Sequence, residues 1–570
     1  MNKPQACEGC PLYQDGKGYV PDELHAGAKI TIVAQNPGAS EEEQGRPLVG
    51  WSGQTVDLSL AKYGIKREDA NYCNILKCRW QQSDELPQGK LLSQAVEHCT
   101  RAYLFPTLKQ LDSNLYVMMG DLALNRLTGK HGIEAWRGSV FLQDLGPLAG
   151  KKILPTIHPS YLNRDPSLRS ASKSDFARIA REWRSKLPTI VYADNFRIAV
   201  TASEFVETLR ALDGKRLVLD VETNYAKPIN AKLKVIGVAW SKTDAMNYFC
   251  NEVTDDVVLG SIQQHTGEWI TATPFDYGVL TRRDVSFEWG RCHDLTLLHS
   301  RFDIELPHPL EFIASMWTDR VTWKWMSSLD PGLYNCLDCA GEWEAFDRLL
   351  RHCYTYDRGV VANYEQDRLM IPVAVALHLN GLPLDLAAFE EEKEYYRSHR
   401  EELQHAIAES FKPPIQDDGA GSVPPVCLRH PRYTGRTPVP LRKGDVSPCF
   451  DCQGVYDAAR RARPLNLRSR QQVRAKLGEQ GIIVPTRKDG KFSLDKGAVD
   501  KLIEKYHDAR LIKFKEFTEL DTIMKMYFKE ARAVKETGRV HATFGMHAAM
   551  HRWNCTEPNM QQQLKPDEED

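Results

Sequence analysis

The stretch Lys29–Gly53, KITIVAQNPGASEEEQGRPLVGWSG, decides how the first third of this chain folds. Its opening residues form an apolar run that stops at Asn36-Pro37-Gly38, the form of a buried strand feeding a tight loop. NLYVMMG at 114–120 and KKILPTIHP at 151–159 repeat that form. Strand-like runs alternating with helical patterns predict a parallel sheet with crossover helices. The Arg- and Lys-rich helix KSDFARIAREWRSKL at 173–187 closes the unit.

With 570 residues the chain is too long for one core, so about three or four domains are expected. Composition is that of a soluble protein, with 42% hydrophobic residues, 26% charged residues and a net charge of −2. No apolar stretch reaches the length of a membrane span, and MNKPQACEGC at the start lacks an apolar signal region. A cytoplasmic location is therefore expected, with the 14 cysteines as thiols or metal ligands rather than disulfides. The near-zero net charge leaves nucleic-acid binding open, because local basic faces matter more than the sum.

Four cysteines frame the opening stretch: Cys7 and Cys10 in CEGCPL, Cys78 in NILKCRW and Cys99 in EHCT. A pair plus two singles can hold one iron–sulfur cluster or one zinc and pin the N-terminus onto the α/β core. Cys73 reads as a core residue. The order CxxCPL, PG…GRP-L-VG, NILKCR, Cys99 and HPSYLNR resembles the family 4 uracil-DNA glycosylases across residues 1–185. That resemblance implies a 4Fe-4S cluster on Cys7, Cys10, Cys78 and Cys99. It implies that Asn74 reads the flipped base by its Watson–Crick edge and that His158 steadies the charge left on uracil. It also places Gln35, Asn36, Pro37, Gly38 and Leu48 against the substrate, with Gly45 and Gly50 admitting close backbone approach. The chain departs from the family at Gln35, where an acid is usual, and at Leu48, where an aromatic usually stacks on the base. A slow enzyme, an altered base preference and a binding module all fit those departures.

A second strand start, KRLVLDVETN at 215–224, carries Asp220 and Glu222 two residues apart, so both carboxylates point to one face. Converging carboxylates are what a pair of Mg2+ or Mn2+ ions needs for phosphodiester cleavage. LLHSRFDIEL offers Asp303 and HCYTYDRGV offers Asp357, with Tyr354 three residues before it. In that order these motifs resemble the DEDD 3′–5′ exonuclease domain of family A DNA polymerases over residues 190–365. The resemblance implies metal binding by Asp220, Glu222, Asp303 and Asp357. It also implies that Tyr354 orients the attacking water, after a one-residue shift from the family's spacing. Asp319 is assigned no metal, and Cys336 and Cys339 read as core.

From about residue 343 the pattern is helical, interrupted at 411–455 by a proline- and glycine-rich insertion. There Cys427-x-x-His430 and Cys449-x-x-Cys452 form two chelating pairs, the spacing of a structural Zn2+ site. The helical region 366–540 resembles the polymerase thumb. Its basic run, including Arg468, Arg470 and Arg474, suits contacts to DNA phosphates. GRVHATFGMHAAMHRWNCTEPNMQQQL, within 541–570 and just before it, resembles the entrance to the polymerase palm, and the palm carboxylates and fingers helix have no counterpart. A split or phage-type replication protein completed by a second chain, or a truncated product, is the expectation.

The expected fold is thus multidomain α/β. It comprises a uracil-DNA glycosylase-like three-layer α/β/α domain at 1–188, an RNase H-like 3′–5′ exonuclease domain at 190–365, and a helical thumb with a zinc-binding insertion. The expected function is uracil excision joined to metal-dependent proofreading on single-stranded or primer–template DNA, without polymerisation by this chain alone. The alternative is a non-catalytic uracil-sensing scaffold that docks a separate polymerase chain.

Overall fold

The computed structural model describes residues 3–80, 89–411, 465–485, 492–528, 536–548, 552–557 and 559, with short strand backbones at 426–427, 446–448 and 455–457. Two compact units emerge. One comprises Met1–Gly381 with His541–Thr556, and the other is Leu382–Val540. The helix Ile371–Asn380 belongs to the first unit, so the helical region expected from residue 366 divides near residue 381.

The first lobe of the first unit is built on strands β1 (Ile30–Ala34), β2 (Ala70–Asn74), β3 (Leu115–Met119), β4 (Phe141–Leu142) and β5 (Lys152–Thr156). Their order is β2-β1-β3-β5-β4, parallel except for β4. Alternate side chains enter two separate cores. Val33, Cys73, Tyr116, Met118 and Ile153 face one, while Ile32, Ala34, Tyr72, Val117 and Leu154 face the other. Helices α1 (Ala39–Gln44), α2 (Trp51–Ala61), α3 (Lys90–Cys99) and α4 (Arg169–Glu182) surround the sheet. Val56 and Leu60 of α2 and Phe176 and Ile179 of α4 fill the second core, whereas Ala95 and Val96 of α3 fill the first. Period-2 alternation with both faces apolar produces these three layers, as expected for a parallel sheet buried on both sides.

The second lobe carries a mixed sheet of β6 (Asn195–Arg197), β7 (Leu217–Thr223), β8 (Leu233–Ala239), β9 (Asp244–Phe249), β10 (Trp269–Thr271) and β11 (Cys292–Asp294). Its order is β11-β10-β7-β8-β9-β6, with β7, β8 and β9 antiparallel. Helices α5 (Pro274–Thr281), α6 (Leu310–Trp317) and α7 (Pro331–Tyr356) pack around it. Gly237 of β8 lets α7 lie close, because a Cβ there would meet Asn335 Oδ1 at 2.1 Å and Cys339 Sγ at 2.6 Å.

Arginines stitch the two lobes together. Arg137 pairs with Asp175 inside the first lobe and donates from Nη1 to Ser315 Oγ of α6 at 2.7 Å. Arg178 bridges Gly138 O at 2.6 Å and Met316 O at 3.1 Å. All these side chains but Ser315 are buried, so each charge is satisfied by a partner or by backbone carbonyls.

In the second unit, α8 (Leu386–Ser410), α9 (Arg470–Glu479) and α10 (Ala509–Met526) share a core of Leu403, Ile407, Val473, Leu477, Phe514 and Phe517. The zinc set Cys427, His430, Cys449 and Cys452 lies outside the described residues, apart from backbone strand at Val426–Cys427. No helix among the described residues is long and apolar enough to cross a membrane.

Candidate active sites

In the first lobe, Asn74 ends β2 beside Ala34, the last residue of β1, and His158 lies two residues past the end of β5. Carboxyl ends of parallel strands form the crevice where α/β sheets bind ligands. Asn74 is 2% exposed, and its Oδ1 is buried with no hydrogen-bond partner. An orphaned acceptor of this kind costs about 1–3 kcal/mol unless a ligand satisfies it. His158 Nδ1 accepts from the Ser160 backbone N–H at 3.2 Å, and the Ser160 hydroxyl lies 2.7 Å away. Burial pushes the imidazole down to about 4, against the raising influence of Glu41. The ring is therefore neutral at pH 7, with its proton on Nε2 available to donate.

The loop between the strands is held by a residue that sequence reading passed over. Glu41 Oε2 accepts from Gly38 N at 3.0 Å, and Oε1 accepts from Gly50 N at 2.9 Å and Val49 N at 3.2 Å. One buried carboxylate thus organises both glycine turns. An acid within the first turn of α1, between two glycines, was the signal available. Gln35 and Asn36 are half-buried and Pro37 is buried, while Asn36 Nδ2 donates to Pro37 O at 2.9 Å. Leu48 is 4% exposed and belongs to the core on the α2 side of the sheet, so it packs inward rather than offering an open contact to a base. It sits at φ +50°, in the left-handed region, and Arg67 donates to its carbonyl at 3.0 Å and to that of Pro47 at 2.8 Å. Gly53 is required opposite, since a Cβ there would lie 1.8 Å from Leu48 O.

Cys7, Cys10, Cys78 and Cys99 line one apolar cavity with Leu12, Leu76 and Tyr103. Burial pushes Cys78 up to about 11 and Cys99 up to about 12. Thiolates there need a cationic partner. Among the described residues, no three of these sulfurs lie within 4.8 Å of one another. Tetrahedral zinc with Zn–S bonds of ~2.3 Å would hold its sulfurs about 3.8 Å apart. Cys73 is fully buried in the core.

In the second lobe, Asp220, Glu222 and Asp338 bring carboxylate oxygens within 4.8 Å of one another. Asp276 of α5 lines the same cleft and accepts from Val221 N at 3.1 Å. Burial pushes Asp276 and Asp338 up to about 7, with Glu222 raising each further, and drives Asp220 well above the carboxylate range. Four carboxyls sharing a partly dry cleft cannot all ionise without a cation. Tyr334, one helical turn before Asp338 on α7, lines the same cleft, where burial and then the neighbouring Asp338 carboxylate push its hydroxyl up.

Asp303, Asp357 and Tyr354 stand elsewhere. Asp303 caps the C-terminus of the helix Leu295–Phe302 and accepts from Glu305 N at 3.2 Å. Asp357 ends α7, where it caps the following helix by accepting from Gly359 N at 3.1 Å and Val360 N at 3.3 Å. It lies nineteen residues beyond Asp338, about 28 Å along the axis. Tyr354 is 50% exposed on the last turn of the same helix. The Tyr-x-x-x-Asp spacing in YNCLD and the acid in TPFDYGVL were the signals for Tyr334, Asp338 and Asp276.

In the second unit, Arg468, Arg470 and Arg474 are exposed. Arg468 pairs with Asp521 at 2.6 Å, and Arg474 lies over the Phe492 ring at 4.6 Å.

Residues 21–184 match the family model described as Uracil DNA glycosylase superfamily. The type-4 uracil-DNA glycosylase of Thermotoga maritima is 31% identical over 176 residues, covering 30% of this chain and 86% of that protein. The DNA polymerase of Bacillus phage SP01 is 26% identical over 336 residues, covering 52% of this chain and 34% of that protein. The chain thus spans about a third of that polymerase's length. A solved structure of the POL domain of Pol1 from M. smegmatis, in complex with DNA primer-template and dNTP, is similar at a TM-score of 0.44 and 16% identity, over 66% of this chain and 57% of that one. Through its N-terminal domain the chain belongs to the type-4 uracil-DNA glycosylases, and the region that follows is related to a DNA polymerase.

Proposed function

We propose that the chain carries two hydrolytic sites for DNA, one releasing uracil and one removing nucleotides from 3′ ends. The observation that carries the second is the convergence of Asp220, Glu222, Asp276 and Asp338 with Tyr334 in one cleft.

For uracil release, Asn74 Oδ1 and its amide N–H groups pair with the Watson–Crick edge of a flipped base. As water attacks C1′ and the N-glycosidic bond breaks, its electron pair passes to the uracil ring. The His158 Nε2–H donates to that developing charge, and a neutral imidazole does so without trapping the product as an ion pair. Glu41 fixes the turns at Gly38 and Gly50 around the substrate backbone. Cys7, Cys10, Cys78 and Cys99 would hold a 4Fe-4S cluster that ties the N-terminal segment to α3.

For 3′-end hydrolysis, divalent ions held by Asp220, Glu222 and Asp338 would activate water and neutralise the leaving 3′ oxygen. Tyr334 beside Asp338 orients the attacking water, the buried Asp276 adds a fourth carboxyl at the Val221 backbone, and Asn335 holds Asp220. Water adds to phosphorus, the P–O3′ bond breaks, and a nucleoside 5′-monophosphate leaves. The exposed arginines Arg468, Arg470 and Arg474 would contact the DNA backbone, and Cys427, His430, Cys449 and Cys452 would hold zinc.

The test uses a labelled single strand with one internal uracil. Alkali-labile breakage at the uracil in chelator, with end digestion appearing only with Mg2+, supports both sites. Tight uracil binding without breakage makes the first lobe a uracil reader. Absence of metal-dependent digestion removes the second site.

A further inference from the structure

The carboxylate cleft does not end at its own lobe. Arg320, Thr322 and Trp323 line it and also line an adjoining cavity of about 340 Å³ between the two lobes. The far wall of that cavity comes from the glycosylase-like lobe, through Lys130, Trp136 and Phe141. Lys130 Nζ lies 4.3 Å from the Trp136 ring centroid and 5.2 Å from that of Phe141. The near wall presents Trp325, which is 57% exposed, with its indole N–H donating to Thr322 O at 3.2 Å.

Two further contacts fix this passage. Thr322 N donates to Ser139 Oγ of the first lobe at 3.2 Å, which ties the walls together. Trp323 donates from Nε1 to Asp338 Oδ1 at 2.7 Å, which connects the passage to the metal-binding carboxylates. Arg320 is 6% exposed, and its Nε is buried with no hydrogen-bond partner although Nη1 and Nη2 hold Asp194.

We propose that this interlobe passage is a binding channel for the single-stranded 3′ segment of DNA, with the glycosylase-like lobe supplying one wall. The inference rests on the exonuclease reading of the carboxylate site. Single strands are held by aromatic faces on which bases stack, combined with cations that follow the phosphates. Trp325 supplies an exposed face, Trp136 and Phe141 supply partly buried ones beneath Lys130, and Lys130 supplies the charge, since Arg320 is paired with Asp194. A cavity of this volume falls at the lower end of the ~300–1,000 Å³ that seats small ligands, room for a base and its sugar. The glycosylase-like lobe then serves the neighbouring active site as well as its own.

The test compares the full chain with Trp325→Ala and Lys130→Glu on two substrates in Mn2+. The p-nitrophenyl ester of thymidine 5′-phosphate reads the metal site alone, whereas a labelled single strand needs the channel. The variants are expected to raise KM for the strand by about tenfold, at unchanged kcat and unchanged ester hydrolysis. A strand KM within twofold of the parent in both variants overturns the channel. If the parent chain hydrolyses neither substrate, the exonuclease reading fails instead. The channel is then tested by photocrosslinking a strand with a 3′-terminal 5-iodouracil. Crosslinks at Trp136 or Trp325 support it, and crosslinks confined to other residues or absent overturn it.

Discussion

Asn335 Nδ2 donates to Asp220 Oδ2 at 2.7 Å, joining the carboxylate strand β7 to the helix that carries Tyr334 and Asp338. This bond sets which turn of α7 faces the cleft, and it does so three residues before the third carboxylate. Asp220→Asn and Asp338→Asn are each expected to lower metal-dependent 3′-end digestion by at least ~100-fold, while Asp303→Asn and Asp357→Asn stay within about twofold. Rates on a labelled single strand at saturating Mg2+ decide between the two sets. Equal losses in all four variants would remove the assignment.

Tyr334→Phe leaves the helix and the carboxylates in place and deletes one hydroxyl. A fall in kcat of about 10- to 100-fold, with KM for the strand little changed, is expected of a group that only orients water. Tyr354→Phe, half-exposed on the last turn of α7, should change neither constant.

The two residues proposed for uracil release, Asn74 and His158, sit at the ends of different strands. Asn74→Ala and His158→Ala are each expected to lower release by ~100-fold or more, with the visible absorbance of the cluster retained. Because burial holds His158 near 4, the ring stays neutral from pH 6 to pH 8. A pH–rate profile with a step near 6.5 that vanishes in His158→Ala would contradict the neutral donor. The same depression means that stability drawn from this site is present above about 6.5 and declines as pH falls toward 4.

Glu41→Gln keeps the shape of the side chain but loses one of the two oxygens that together accept from three backbone N–H groups. About 1–3 kcal/mol of stability should be lost if the loop adapts poorly. A matching decline in uracil release with Asn74 intact would show that the loop positions the substrate. Denaturant titration beside single-turnover kinetics separates the two effects.

The carboxylate cleft carries the opposite pH signature. Asp276 and Asp338 stand near 7 when folded, above the ordinary carboxylate value, so the folded chain binds extra protons in between. Their contribution is present at low pH and is lost as pH rises through 7. In chelator, thermal stability is expected to fall from pH 6 to pH 8, and Mg2+ should raise it more at pH 8 than at pH 6. The four carboxyls titrate as a group, so Asp276→Asn and Asp338→Asn should each flatten the slope. An unchanged slope in both variants would place the proton uptake elsewhere.

Local pattern carried the sequence a long way here. The apolar run before Asn36-Pro37-Gly38 is β1, the Asp220-x-Glu222 pair does share one face of β7, and the four cysteines do meet in one cavity. Each rests on short-range geometry, a period of two along a strand or ligand types at suggestive spacings, which the chain writes into itself. The remaining carboxylates were a different matter. Helix α7 passes seven turns and offers acids at Asp338, Glu342, Glu344 and Asp347, with Asp357 just past its end and tyrosines at 334, 354 and 356, so its periodicity cannot say which turn meets β7. That choice belongs to packing across the sheet, where the bare face of Gly237 admits Asn335 and Cys339 and so delivers Asp338. Asp276 arrives from another helix, and Leu48 turns inward because its backbone is held left-handed by Arg67 and Gly53. The sequence by itself determined the strands, the set of cysteines that meet and the paired acids. Tertiary structure alone decided which distant residues meet them, because that depends on close approach between segments far apart in the chain.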